Sequence, residues 1–184
     1  DVSVEREACP LNLAPTSSTT AALAMADALA VCLVELKGFK EKDFALFHPG
    51  GALGRRLLLT VADIMRTGKA CPQVSADKTV AYCLLKITQA RAGAATIVDA
   101  KGGLVGIFTD GDLRRHLETD PNLPARLIAD VMTKNPLVVT ADTLAAEALR
   151  LLEERKIDEI PVVDDKRRPV GLLDVQDLLR AGIV

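Results

Sequence analysis

Tryptophan is missing from these 184 residues, tyrosine occurs once and phenylalanine four times. So few aromatic rings leave no platform on which single-stranded bases could stack. Positive charge is not in surplus either: 23 Lys and Arg against 25 Asp and Glu give a formal net charge of −2. With the two signs interleaved there is no basic stripe to neutralise a phosphate backbone, and nucleic acid is not expected as a partner. The four cysteines, Cys9, Cys32, Cys71 and Cys83, include no C-x-x-C pair. They read as reduced thiols, small buried hydrophobes of a cytoplasmic protein. The two histidines, His48 and His116, lie in unrelated segments without ligand spacing, so neither a metal site nor a cofactor is expected. The most apolar run, residues 21–36, is interrupted by Asp27 and Glu35 and is shorter than the ~20 residues a membrane span needs. It reads as a core helix, and no membrane is expected. No basic leader with a small-residue cleavage site is visible, and the chain opens at Asp1 without methionine, as a fragment of a longer protein would.

What is present is an aliphatic, soluble-type composition, 49% hydrophobic and 26% charged, and a duplication. "VADIM" (61–65) returns as "IADVM" (128–132), "VSAD" (74–77) as "VTAD" (139–142), and "VGIFTDGDL" (105–113) as "VGLLDVQDL" (170–178). An offset near 65 residues is too long for a solenoid repeat and marks a duplicated small domain. Within each copy, residues 79–93 and 143–158 carry apolar residues at helical spacing. Asp77 and Asp142 stand ahead of them as candidate caps. "ATIVD" and "IPVVD", followed by turns and by "LVGIFT" or "PVGLLD", read as paired strands. A last helix opens at Asp110 or Val175, with Asp112 and Asp177 in its first turn, where the helix dipole favours negative charge. Each copy is therefore a βαββα unit in an α/β (α+β) chain, too small to be robust alone, so that two copies packed together are expected.

This order, with "GIFTDGDL" at its end, resembles the cystathionine-β-synthase (CBS) domain, whose tandem pairs bind adenine or cytosine nucleotides between copies. The resemblance covers residues from about 60 to 184. It implies nucleotide-binding roles for Thr109 and Asp112, a hydroxyl and a carboxylate placed for phosphate and ribose. It also carries Asp177 over in the second copy. There the hydroxyl position holds Asp174, whose charge would repel phosphate, so the second cleft is either empty or shaped for something less anionic. The alternative for all of these residues is plain helix capping. His116, beside Arg114 and Arg115, reads as part of a solvated face.

Ahead of the repeat, "APTSSTT" (14–20), an alanine-rich helix and "FALFHPGGALGR" (44–55) resemble the last part of a sugar-isomerase (SIS) domain. Followed by a CBS pair, they are similar to the arabinose-5-phosphate isomerase family across the whole chain. The resemblance implies interconversion of D-ribulose 5-phosphate and D-arabinose 5-phosphate for Kdo and lipopolysaccharide synthesis, in a cytoplasmic tetramer. Moving a carbonyl between two carbons needs a base, an acid and donors for the phosphate. His48 is the residue implied for proton transfer or ring opening, aimed by the turn at Pro49, Gly50 and Gly51. Thr16, Ser17 and Ser18 are implied as substrate contacts, with capping at Ser17 or Ser18 as the alternative. The expected domains are the C-terminal part of a doubly wound SIS domain with linker (1–58) and two CBS copies (59–122 and 123–184).

Three functions remain open at this point: an isomerase fragment with a regulatory CBS pair, inactive alone; a nucleotide sensor serving another protein; or a ligand-free dimerisation module. The implied partners are a sugar phosphate in the parent enzyme, a nucleotide or the pathway product CMP-Kdo at the CBS pair, and further copies of the chain, a CBS-mediated dimer for the fragment.

Overall fold

The structure, a computed structural model, describes residues 1–40, 43, 44, 47 and 51–183. It divides into two compact units, Asp1–His48 and Pro49–Val184.

In the first unit the alanine- and leucine-rich run forms one helix, α1 (Ser17–Leu36), as its residue propensities favour. Two expectations need correction. The helix is 20 residues long with mean hydropathy 1.7, so by length and composition it could cross a membrane. None of its residues is buried, and Leu23, Met25, Leu29 and Val31 lie open, so within this unit it is not a core helix. The physical reason is that no strand is present among the unit's described residues to cover it. Its N-terminus is also capped differently from the sequence reading. Thr16 is the boundary residue and no Ser17 or Ser18 side chain caps the helix. Instead the Glu7 carboxylate accepts from Thr16 N–H at 2.8 Å, Ser18 N–H at 3.2 Å and the Thr16 hydroxyl at 3.0 Å. An anion at a helix start meets unpaired amides and the positive end of the dipole, and the Ser18 side chain first, then the Thr16 amide, the Ser18 amide and the Thr16 hydroxyl, hold the Glu7 carboxyl down at about 2.

The second unit begins with α2 (Ala52–Leu58) and then contains the duplication. The first copy runs β1 (Gln73–Ser75), α3 (Val80–Ala90), β2 (Ala94–Val98), β3 (Leu104–Thr109) and α4 (Asp110–Leu117). After a short α5 (Ile128–Val131) and β4 (Thr133–Lys134), the second repeats the order: β5 (Val139–Thr140), α6 (Ala145–Arg155), β6 (Glu159–Val163), β7 (Pro169–Asp174) and α7 (Val175–Arg180). β1 pairs parallel with β2, and β2 antiparallel with β3; β5, β6 and β7 repeat this pattern, including a bulge at Ile97/Val98 and again at Val162/Val163. Both central helices end on a left-handed residue, Arg91 and Lys156, with φ of 51° and 53°. Their starts differ from the expected aspartate caps: Thr79 caps α3 through its hydroxyl, and α6 starts after Leu144 with no side-chain cap.

The segment that leads into each copy serves the other copy. Val61, Ile64 and Met65 pack with Ala148, Leu152, Ile160 and Leu173 of the second copy. Ile128, Val131 and Met132 pack with Val74, Ile87, Ile97 and Phe108 of the first. The backbone follows: β4 pairs with β3, setting Thr133 opposite Ile107, while Arg66 bridges to Leu172, the counterpart of Ile107. Both crossings are close. A Cβ on Gly106 would meet the Met132 sulfur and, at 3.0 Å, the Thr133 carbonyl oxygen; on Gly171 it would meet the Met65 sulfur and, at 3.1 Å, the Arg66 carbonyl oxygen. Glycine at these two strand positions lets a neighbouring backbone approach.

Candidate functional site: a composite cleft between the copies

The exchange makes each cleft composite, with walls from both copies. The open one has a volume of about 810 Å³. One wall is the end of β3 and the start of α4, with Thr109 and Asp112; the floor is the crossing segment from Thr133 to Val138; the opposite wall is the turn from Arg155 to Glu159.

Thr109 and Asp112 meet in a reciprocal capping box. Asp112 N–H donates to the Thr109 hydroxyl oxygen at 3.2 Å, and Asp112 Oδ2 accepts from Thr109 N–H at 2.9 Å and from its hydroxyl at 3.0 Å. Asp112 Oδ1 accepts from the Thr133 hydroxyl at 3.1 Å and from Arg115. The carboxylate is buried, yet one of its partners is a mostly exposed arginine side chain that can swing away. Capping and ligand contact are thus compatible here. Five basic side chains, Arg114, Arg115, Arg155, Lys156 and Arg167, line the cleft, against the acids Asp110, Asp112, Asp158 and Glu159. Glu159, which no sequence pattern singled out, is pushed up to about 7, first by burial and then by Asp174, Asp158 and Asp110, with Arg66 opposing.

Asp177 has different surroundings. Arg66, in the place of Thr133, donates from Nε to Asp177 Oδ2 at 2.6 Å and from its terminal nitrogens to Asp174 Oδ2 at 2.8 Å and the Arg91 carbonyl at 3.0 Å. Arg180 adds a contact to Asp177 at 3.1 Å. The repulsive carboxylate at position 174 is met by a cation from within the chain.

Of the other residues singled out, Thr16, Ser17 and Ser18 stand together at the start of α1, where Glu7 takes the amides of Thr16 and Ser18. His48 lies outside the described residues. His116 is not a solvated group: it is half-buried, and Nε2 donates to the Val131 carbonyl at 3.1 Å, tying α4 to the crossing helix α5. Of the four cysteines expected to be buried, Cys71 and Cys83 are, their thiols raised by burial to about 11 and about 12, whereas Cys32, on the uncovered α1, is exposed and Cys9 half-exposed.

Two βαββα copies that exchange their leading segments around a composite polar cleft define a tandem pair of small duplicated domains. The chain belongs to the CBS domain family, which it matches over residues 61–119 and 128–183. Over its full length it is 51% identical to the arabinose 5-phosphate isomerase KdsD of Pseudomonas aeruginosa and 50% identical to that of Escherichia coli. The chain spans 56% of the length of these relatives. Among solved structures, CBSX2 in complex with AMP superimposes with a TM-score of 0.57 at 28% identity, over 67% of this chain and 96% of that one. The CBS domain pair of protein MJ0100, in complex with 5-methylthioadenosine and S-adenosyl-L-methionine, gives 0.60 at 26% identity, over 66% and 94%.

Proposed function

We propose that this chain is the C-terminal part of a cytoplasmic, tetrameric D-arabinose 5-phosphate isomerase acting in Kdo synthesis. Its CBS pair is a regulatory module that takes a nucleotide in the open cleft. The observation that carries the enzymatic half is the 51% identity along all 184 residues. In that reading the first unit is the end of a SIS domain, with Thr16, Ser17 and Ser18 toward the sugar phosphate and His48 in proton transfer or ring opening. A histidine titrates near neutrality and suits either role.

The regulatory half is supported by the chemistry of the cleft. Asp112 can accept from two ribose hydroxyls once Arg115 releases it, and the freed guanidinium is then available to a phosphate, for which arginine geometry is well suited. AMP and S-adenosyl-L-methionine, bound by the solved neighbours, share the adenosine that such a site would read. The five cations leave room for a second anionic group, as on CMP-Kdo.

The test has two arms. Thermal scans of the chain with AMP, ATP, CMP and CMP-Kdo should show an upward shift with at least one of them that Asp112→Ala abolishes; flat curves with all four leave the dimerisation role instead. The parent enzyme carrying this segment should convert ribulose 5-phosphate to arabinose 5-phosphate and lose turnover on His48→Ala. Wild-type turnover in that variant would remove the assignment.

A further inference from the structure

We infer that Arg66 is a built-in occupant of the second cleft, a guanidinium in the place of a ligand, so that the CBS pair takes one nucleotide per chain and only in the first cleft. The inference rests on the nucleotide reading of the first cleft given above.

The two clefts correspond residue by residue. Asp177 answers to Asp112, Asp174 to Thr109, Arg91 to Lys156, and Arg66 to Thr133. The correspondence is structural as well as sequential: Arg66 and Thr133 are held by the same backbone pairing, and Gly106 and Gly171 give both the same close approach. The side chains diverge in character at two of these positions, where Asp174 stands for Thr109 and Arg66 for Thr133. Thr133 reaches Asp112 with a hydroxyl and leaves the cleft open. Arg66 extends across its cleft to Asp177, Asp174 and the Arg91 carbonyl, with only 16% of its side chain exposed.

These partners are equivalent to the groups that face the open cleft in the first copy. They are two carboxylates and a carbonyl, all acceptors, and the planar fork of an arginine satisfies them together. A nucleotide entering here would have to displace a cation from two carboxylates and then set its own phosphate against them, which the ordinary repulsion of like charges opposes. The second copy is thereby locked, while the first, whose equivalent carboxylate is covered by the exposed Arg115, responds to ligand.

Calorimetric titration of the chain with AMP, and separately with CMP, should give a stoichiometry of one. Backbone amide signals should move around Thr109 and Asp112 and stay still around Asp174 and Asp177. The Arg66 Nε–H proton should remain slow to exchange at saturation. The double variant Arg66→Thr/Asp174→Thr, which restores the first copy's pattern, should raise the stoichiometry to two, and Asp112→Ala in wild type should reduce it to zero. Two sites in wild type, or a folded double variant that still binds one, would overturn the inference while leaving the nucleotide reading intact. No binding in wild type would sink that reading instead. In that event a double variant that gains a site supports the role of Arg66, and one that gains none overturns it. If the double variant fails to fold, the exchange rate of the Arg66 Nε–H decides, since rapid exchange means the side chain does not hold the cleft.

Discussion

Replacing Glu159 by glutamine should stabilise this protein at alkaline pH and leave it unchanged near pH 4. Glu159 is the first residue of β6, opposite Asp174 in the sheet register, and it also feels Asp158 on its own strand entry and Asp110 on α4. Arg66 is the opposing cation, but its bonds go to Asp174 and Asp177. Burial and three like charges therefore raise the Glu159 carboxyl from 4.5 to about 7. The folded state holds this proton more tightly than the unfolded chain does, so stability falls as pH rises from about 4.5 to about 7 and stays low above that. At about 1.4 kcal/mol per unit the penalty at pH 8 has a ceiling of roughly 3 kcal/mol. Residual exposure of Glu159 to water reduces it to about 1–2 kcal/mol.

Glutamine has the same shape without the charge. At pH 8 Glu159→Gln should raise the melting temperature by roughly 2–8 °C for a chain of this size. At pH 4 the two proteins should melt together. Thermal unfolding followed by circular dichroism at pH 4, 6 and 8 measures this directly. A gain that is the same at all three values, or a loss at pH 8, would refute the electrostatic reasoning, because either result would mean that glutamine acts through packing or hydrogen bonding rather than through charge.

Gly106→Ala and Gly171→Ala should each lower stability by about 1–3 kcal/mol in denaturant titrations, because the crossing backbone lies about 3 Å from the added carbon. Phe108→Ala, which empties a site of 0% exposure next to Thr109, should cost about 3–5 kcal/mol and weaken nucleotide binding with it. Carboxyl NMR should find Glu7 titrating near 2; because its carboxyl is held below 4.5, its support of α1 is complete above that pH and fades as pH falls toward 2. A Glu7 midpoint near 4.5 would mean that its carboxylate does not cap the helix.

The strands and both copies were legible in the sequence because β-branched runs bounded by turn residues, repeated at a fixed offset, leave little choice of fold. Thr109 and Asp112 were singled out by the family resemblance, and their capping arrangement was legible locally, as a hydroxyl and a carboxylate three apart at a strand-to-helix junction. Arg66 and Glu159 were not, since their meaning comes from partners far along the chain: Asp177 lies 111 residues beyond Arg66. The one available signal was the alignment of the copies themselves, which puts Arg66 where its counterpart is Thr133. Glu7 was hidden by a shorter distance, nine to eleven residues, across a loop with no periodic pattern. His116 looked solvated from its basic neighbours, yet a carbonyl from the exchanged segment claims its ring.

The exchange of leading segments explains how one duplicated geometry supports two unlike clefts. Residues 66 and 133 are placed by their backbones, through the bridge to Leu172 and the pairing with Ile107, and by the glycines beneath them. Position 66 or 133 therefore tolerates anything that satisfies the acceptors it faces. A threonine satisfies one carboxylate and leaves space, whereas an arginine satisfies two and fills it. The packing on either side is unaffected: Met65 and Met132 cover equivalent glycines in both copies, and Val61 and Ile128 are fully buried in both cores. Sensitivity to ligand is, on the inference above, confined to one cleft by Arg66 together with Asp174, while each copy keeps the core that the exchanged segment completes.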